Sequence, residues 1–135
     1  MNLSTYIFLI LSTVESGNNP SAVGDSGDSL GMYQLQAAYV QDASEYAETN
    51  WKHEDAYITD RAEAIINAYM SRYATEARLG REPTIEDICR IHNGGPNGYK
   101  SPSTDAYWQK CKDVIHALKM KDRPGTANYN NSYTR

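Results

Sequence analysis

Apolar residues in this chain return every three or four positions, and no stretch alternates convincingly enough to make a strand. Leu3, Ile7, Ile10, Leu11 and Val14 form one stripe over residues 3–15, and Tyr33, Leu35, Tyr39, Val40 and Tyr46 form another over 32–48. A third runs through Ala62, Ile65, Ile66, Tyr69, Met70 and Tyr73 across about 60–78, where Gly80 stops it. Thr84 caps a fourth helix, with Asp87 three residues on as in a capping box, and His92 closes it. Ser101-Pro102, a cap followed by a first-turn proline, starts a fifth that runs to about Lys119. The pattern predicts an all-α fold of about five helices. At most a small β-hairpin fits within the glycine-rich segment 16–30.

A chain of 135 residues is one domain with room for a real core. Residues 1–120 hold all the periodic segments. Residues 121–135 have no apolar period and are expected to be a flexible tail. The apolar run Tyr6 to Leu11 lacks a basic flank and a small-residue cleavage site, so no signal peptide is expected. It is also too short to span a bilayer, because Glu15 interrupts it. Charge is uneven: residues 1–60 carry nine acids against one lysine, a net of −8, while residues 100–135 net +4. A basic end of that size suits a polyanionic surface or a solvated face, and is far from a nucleic-acid footprint. His53, His92 and His116 have no partners at ligand spacing, so neither metal nor cofactor is expected. Cys89 and Cys111 each lie on an apolar helix face and read as buried free thiols, with a bridge between them as the alternative. Eleven tyrosines against one phenylalanine suit a half-polar ligand such as carbohydrate, although most fill helix interfaces.

The chemistry gathers where the first helix ends. Glu15 follows Leu11 and Val14, so its carboxyl is partly desolvated and sits at the negative end of a helix dipole. Both effects oppose its charge and raise its pKa. A carboxylic acid still protonated near neutrality can donate to a glycosidic oxygen. The segment that follows delivers Asp25 and Asp28 on a flexible loop, and then Gly31-Met32-Tyr33-Gln34 opens the next helix. One acid on a helix end and another on a loop is the layout of a two-carboxylate glycosidase.

ESGNNPSAVGDSGDSLGMYQLQ, Glu15 to Gln36, resembles the glutamate motif of the lytic transglycosylase and goose-type lysozyme superfamily. ICRIHNGGPNGYKSPSTDAYWQK, Ile88 to Lys110, resembles the invertebrate-type lysozymes and related bacterial and phage proteins. The two motifs and the helices between them cover about residues 5–115. The resemblance implies a lysozyme-like fold that cuts the β-1,4 link between N-acetylmuramic acid and N-acetylglucosamine in peptidoglycan glycan strands. Glu15 takes the position of the catalytic acid, Gln34 that of the Gly-x-x-Gln glutamine, and Asn93, Gly94 and Gly95 that of a cleft-lining loop. Nearly all the cysteines of invertebrate-type lysozymes are missing, and Tyr99 stands where one is usual.

Asp25 is the expected second carboxylate, with Asp28 either its substitute or a loop-bonding residue. Ser16, Asp28, Tyr33, Gln34, His92, Asn93, Gly94 and Gly95 are the expected substrate contacts, with Tyr33 the candidate for sugar stacking. Tyr107 and Trp108 read as core. Three functions fit: a hydrolytic muramidase, a lytic transglycosylase that closes a 1,6-anhydro ring, and a catalytically idle glycan-binding or virion protein. A protonated buried acid speaks against the third. With no leader expected and no disulfide framework, the chain reads as a monomeric phage endolysin or virion-associated lysin, made in a bacterial cytoplasm and acting on the periplasmic wall, with a bacterial cell-wall enzyme as the alternative.

Overall fold

The structure, a computed structural model, describes residues 1–121 of the chain. Helix α1 (Thr5–Ser16) begins where the Ser4 hydroxyl accepts a hydrogen bond from the Ile7 amide. It ends at Gly17, whose left-handed φ of 66° lets its N–H return to the Ser12 and Thr13 carbonyls. That turn leaves Glu15 in the last turn of the helix.

Beyond it lies a three-stranded antiparallel sheet: β1 (Val23–Gly24), β2 (Ser29–Leu30) and β3 (Leu35–Gln36), in that order. Val23 faces Leu30, and Ser29 faces Gln36. The sheet reaches further than a hairpin within 16–30, and the second helix starts later than residue 32. The chain reverses over 31–34, where the Gln34 amide donates to the Gly31 carbonyl and Gln34 takes a φ of 53°. Strand pairing of Leu35 with Leu30 claims backbone groups that helical spacing had assigned to a first turn.

Helix α2 (Ala37–Ala47) packs on α3 (Thr59–Tyr73). The expected helix over 60–78 is two helices. Ala74 leaves helical geometry at φ −96°, ψ 68°, and the Thr75 hydroxyl caps a separate short α4 (Glu76–Leu79). Helix α5 (Ile85–Gly94) has the Thr84–Asp87 capping box and runs past His92 to Gly94. A one-turn 3-10 segment, Pro102–Thr104, capped by Ser101, leads into α6 (Asp105–Lys121). The loop between α5 and α6 is pressed onto α5 at Gly98, where a Cβ would stand 2.2 Å from the Arg90 carbonyl oxygen.

The core is built from Ile10 and Leu11 of α1, Leu35, Val40, Ile65, Ile66, Met70 and Ile91, all with essentially no exposure. Helix α6 packs against both α1 and α5, and so closes the back of the Glu15 seam. Cys89 on α5 and Cys111 on α6 are both buried and free. The architecture is the mainly α, lysozyme-like one, with six helices and one small sheet among the described residues. Among the same residues no helix is long and apolar enough to cross a membrane. The expected tail over 121–135 lies, from residue 122 on, outside the described residues.

Candidate active site

A cleft of about 470 Å³ opens between the sheet on one side and the α2, α3 and α5 ends on the other. Glu15, Asp25, Gln34, His92, Asn93, Gly94 and Gly95 all line it. Segments as far apart as 15–36 and 92–95 therefore meet at one surface.

Glu15 enters from the last turn of α1 with 18% of its side chain exposed. Burial is the main reason its pKa rises from 4.5 to about 7, and the negative charge of Asp25 adds to the rise. A hydrogen bond donated by Tyr107 and the charge of Lys110 oppose it. The Tyr107 hydroxyl donates to Glu15 Oε2 at 2.8 Å. His92 Nε2 lies 3.4 Å from the same oxygen. This is a polar contact without a charge on the ring, because burial lowers the His92 pKa to about 4.

The ring of His92 is held at both nitrogens. Nε2 is 3.2 Å from the Tyr33 carbonyl oxygen, and Nδ1 is 3.0 Å from the Tyr39 hydroxyl. Tyr39 in turn stacks on Tyr69, with ring centroids 3.8 Å apart. The stacked pair forms part of the cleft wall beside Gly95 and Pro96.

Asp25 faces Glu15 from the wet side of the cleft. Its Oδ2 accepts a 2.5 Å hydrogen bond from the Ser29 hydroxyl, which itself receives a longer one from Gln36 at 3.4 Å. Asp25 and Gln34 are non-glycine residues at positive φ, 50° and 53°, a conformation that needs support from surrounding structure. The sheet supplies that support.

Other expected contacts are placed elsewhere. Asp28 is exposed and points outside the cleft lining. Tyr33 is 2% exposed and donates its hydroxyl to Glu63 at 2.6 Å, so its ring presents no face for a sugar. Ser16 serves the seam: its hydroxyl donates to the Met32 carbonyl at 2.7 Å and accepts from the Asn19 amide. Conversely, Tyr39, Asp42, Tyr69, Ser29 and Gln36 line the cleft without having been expected there. Tyr39 and Tyr69 gave a helical signal indistinguishable from core, and so did Tyr107. The Tyr-Trp pair in the second motif was the one hint that Tyr107 had a further use.

A mostly buried acid with a pKa of about 7, a second, exposed acid in the same lining and a glycine-edged rim make this cleft the candidate active site of a glycosidase. The profile of the destabilase family matches residues 7–114. The chain is 33% identical over 101 residues to lysozyme 1 of Crassostrea virginica, covering 73% of this chain and 53% of that protein. It is 31% identical over 109 residues to invertebrate-type lysozyme 6 of Caenorhabditis elegans, covering 74% and 78%. The crystal structure of an inhibitor-bound lysozyme from Meretrix lusoria superimposes with a TM-score of 0.70 at 29% identity, covering 93% of this chain and 94% of that one. The chain belongs to the destabilase family, the invertebrate-type lysozymes. Lysozyme activity is the activity of its class. These relatives come from molluscs and a nematode, which corrects the expectation of a phage lysin made in a bacterial cytoplasm.

Proposed function

We propose that the chain is a muramidase that hydrolyses the β-1,4 bond between N-acetylmuramic acid and N-acetylglucosamine in peptidoglycan. Glu15 is the general acid and Asp25 the second carboxylate. The observation that carries this reading is the pKa of about 7 at Glu15, in the wall of a cleft that Asp25 also lines. Glu15 gives its proton to the glycosidic oxygen as the bond from that oxygen to C1 breaks. Asp25 stabilises the positive charge that develops on the sugar ring. Water then adds at C1 and its spare proton returns the acid to its starting state. Asn93, Gly94 and Gly95 offer backbone groups to the sugar amides from the rim, and a single copy of the chain supplies the whole cleft.

The position of Asp25 favours water attack over internal ring closure. A lytic transglycosylase needs only the acid, since the substrate's own 6-hydroxyl attacks C1. Mass spectrometry of digested peptidoglycan separates the two. Hydrolysis gives reducing-end N-acetylmuramic acid, one water heavier per cut. Anhydro products would replace the hydrolytic reading with the transglycosylase, and an undigested wall would leave only glycan binding.

A further inference from the structure

Tyr107 sits 92 positions from Glu15 in the chain, and its ring is packed into the core with 9% exposure. Its hydroxyl is spent on one oxygen of the Glu15 carboxyl. We propose that Tyr107 is a positioning residue that decides which oxygen of Glu15 delivers the proton. This inference rests on Glu15 being the general acid.

The argument starts from the proton on His92. Its Nε2 is 3.2 Å from the Tyr33 carbonyl oxygen, which can only accept, so Nε2 carries hydrogen and Nδ1 accepts from the Tyr39 hydroxyl at 3.0 Å. His92 therefore spends its one N–H on the Tyr33 carbonyl and only lies near Glu15 Oε2, at 3.4 Å, while Tyr107 donates its O–H to that oxygen at 2.8 Å. A protonated carboxyl has one oxygen bearing hydrogen and one that accepts. The Tyr107 donor makes Oε2 the acceptor, and the proton is left on Oε1. Burial and the neighbouring Glu15 charge push the Tyr107 phenol far upward, so it remains a donor throughout and never competes as an acid. Without it the carboxyl can rotate and present either oxygen, and part of the population is wrongly protonated for transfer.

The groups facing Glu15 are Tyr107 and Lys110 from α6, His92 from α5, Tyr39 from α2 and Asp25 from the sheet segment. Among these, the Tyr107 hydrogen bond is the largest influence favouring the carboxylate. Its loss has a signed consequence: the acid holds its proton to higher pH.

The test is Tyr107→Phe, which keeps the ring and removes the hydroxyl. Turnover of a soluble muropeptide oligomer is measured across pH, and the Glu15 carboxyl is titrated by carbon-13 NMR. The expected result is a kcat about tenfold lower with KM nearly unchanged. The alkaline limb and the NMR midpoint both move up by about one pH unit. If Tyr107→Phe folds poorly, 3-fluorotyrosine at position 107, a more acidic donor, should move both markers down instead. A limb and midpoint that stay in place in both variants overturn the positioning role and leave Tyr107 a packing residue. Glu15→Gln is measured alongside. If it retains activity, the general-acid reading falls and this inference with it; if it is inactive and the limb is unmoved, only this inference falls.

Discussion

The two walls of the cleft hold their carboxylates by opposite means. Glu15 stands on a helix end backed by α5 and α6, and burial raises its pKa to about 7. Asp25 stands on an exposed turn between two-residue strands, held by a hydroxyl from Ser29 and by a left-handed backbone. One wall is made of packed side chains and the other of short polar bonds. The contrast shows how one fold raises the pKa of one acid by burial and leaves its neighbour in the same cleft exposed to water.

If the helical wall carries proton transfer, Glu15→Gln should cost about 10²–10⁴-fold in clearing of a cell-wall suspension. Circular dichroism should show the fold intact. A variant with a tenth of wild-type turnover would remove Glu15 from the acid role. On the sheet wall, Asp25→Asn should lose about 10²-fold, while Asp28→Asn should stay near wild type because its side chain lies outside the cleft lining. Equal losses at the two positions would erase the distinction drawn between them.

Stability sharpens the contrast next. The pKa of Glu15 is raised from 4.5 to about 7, so its contribution to stability is fully present below 4.5 and is lost as pH rises through 7. Glu15→Gln escapes that loss. Thermal melts should show the variant more stable than wild type at pH 8, by up to about 3 kcal/mol, and equal to it at pH 4. A gain of the same size at both pH values would mean that the effect is packing and not charge.

The smallest expected effect falls on the sheet. Ser29→Ala removes the 2.5 Å hydrogen bond to Asp25, and should cost about 1 kcal/mol in denaturant unfolding. Activity should fall by less than in Asp25→Asn, because the carboxylate remains but is less well held. An activity loss as large as that of Asp25→Asn would make Ser29 a direct participant.

Local signals carried much of the fold into the sequence. The capping box at Thr84 and Asp87 and the Ser101-Pro102 start depend on residues within a turn of each other, and helical structure begins there, whereas Gly80 ends the short α4 and not the helix expected over 60–78. The desolvated position of Glu15 was legible for the same reason, since Leu11 and Val14 are its neighbours in the same helix. Segment 31–36 was not. Its apolar spacing suits a helix, but β2 and the reversal at Gln34 outcompete that spacing for the backbone hydrogen bonds. Tyr33 carried the same ambiguity, because a tyrosine beside a motif glutamine looks the same in sequence whether it meets a sugar or Glu63. What tertiary structure alone decided was the company of the acid. Tyr107 and His92 reach Glu15 from α6 and α5 across 92 and 77 positions, and His92 takes its orientation from Tyr39 and the Tyr33 carbonyl. Helical periodicity tells which side chains share a face; only the packing of one helix against another settles which hydroxyl meets which carboxyl.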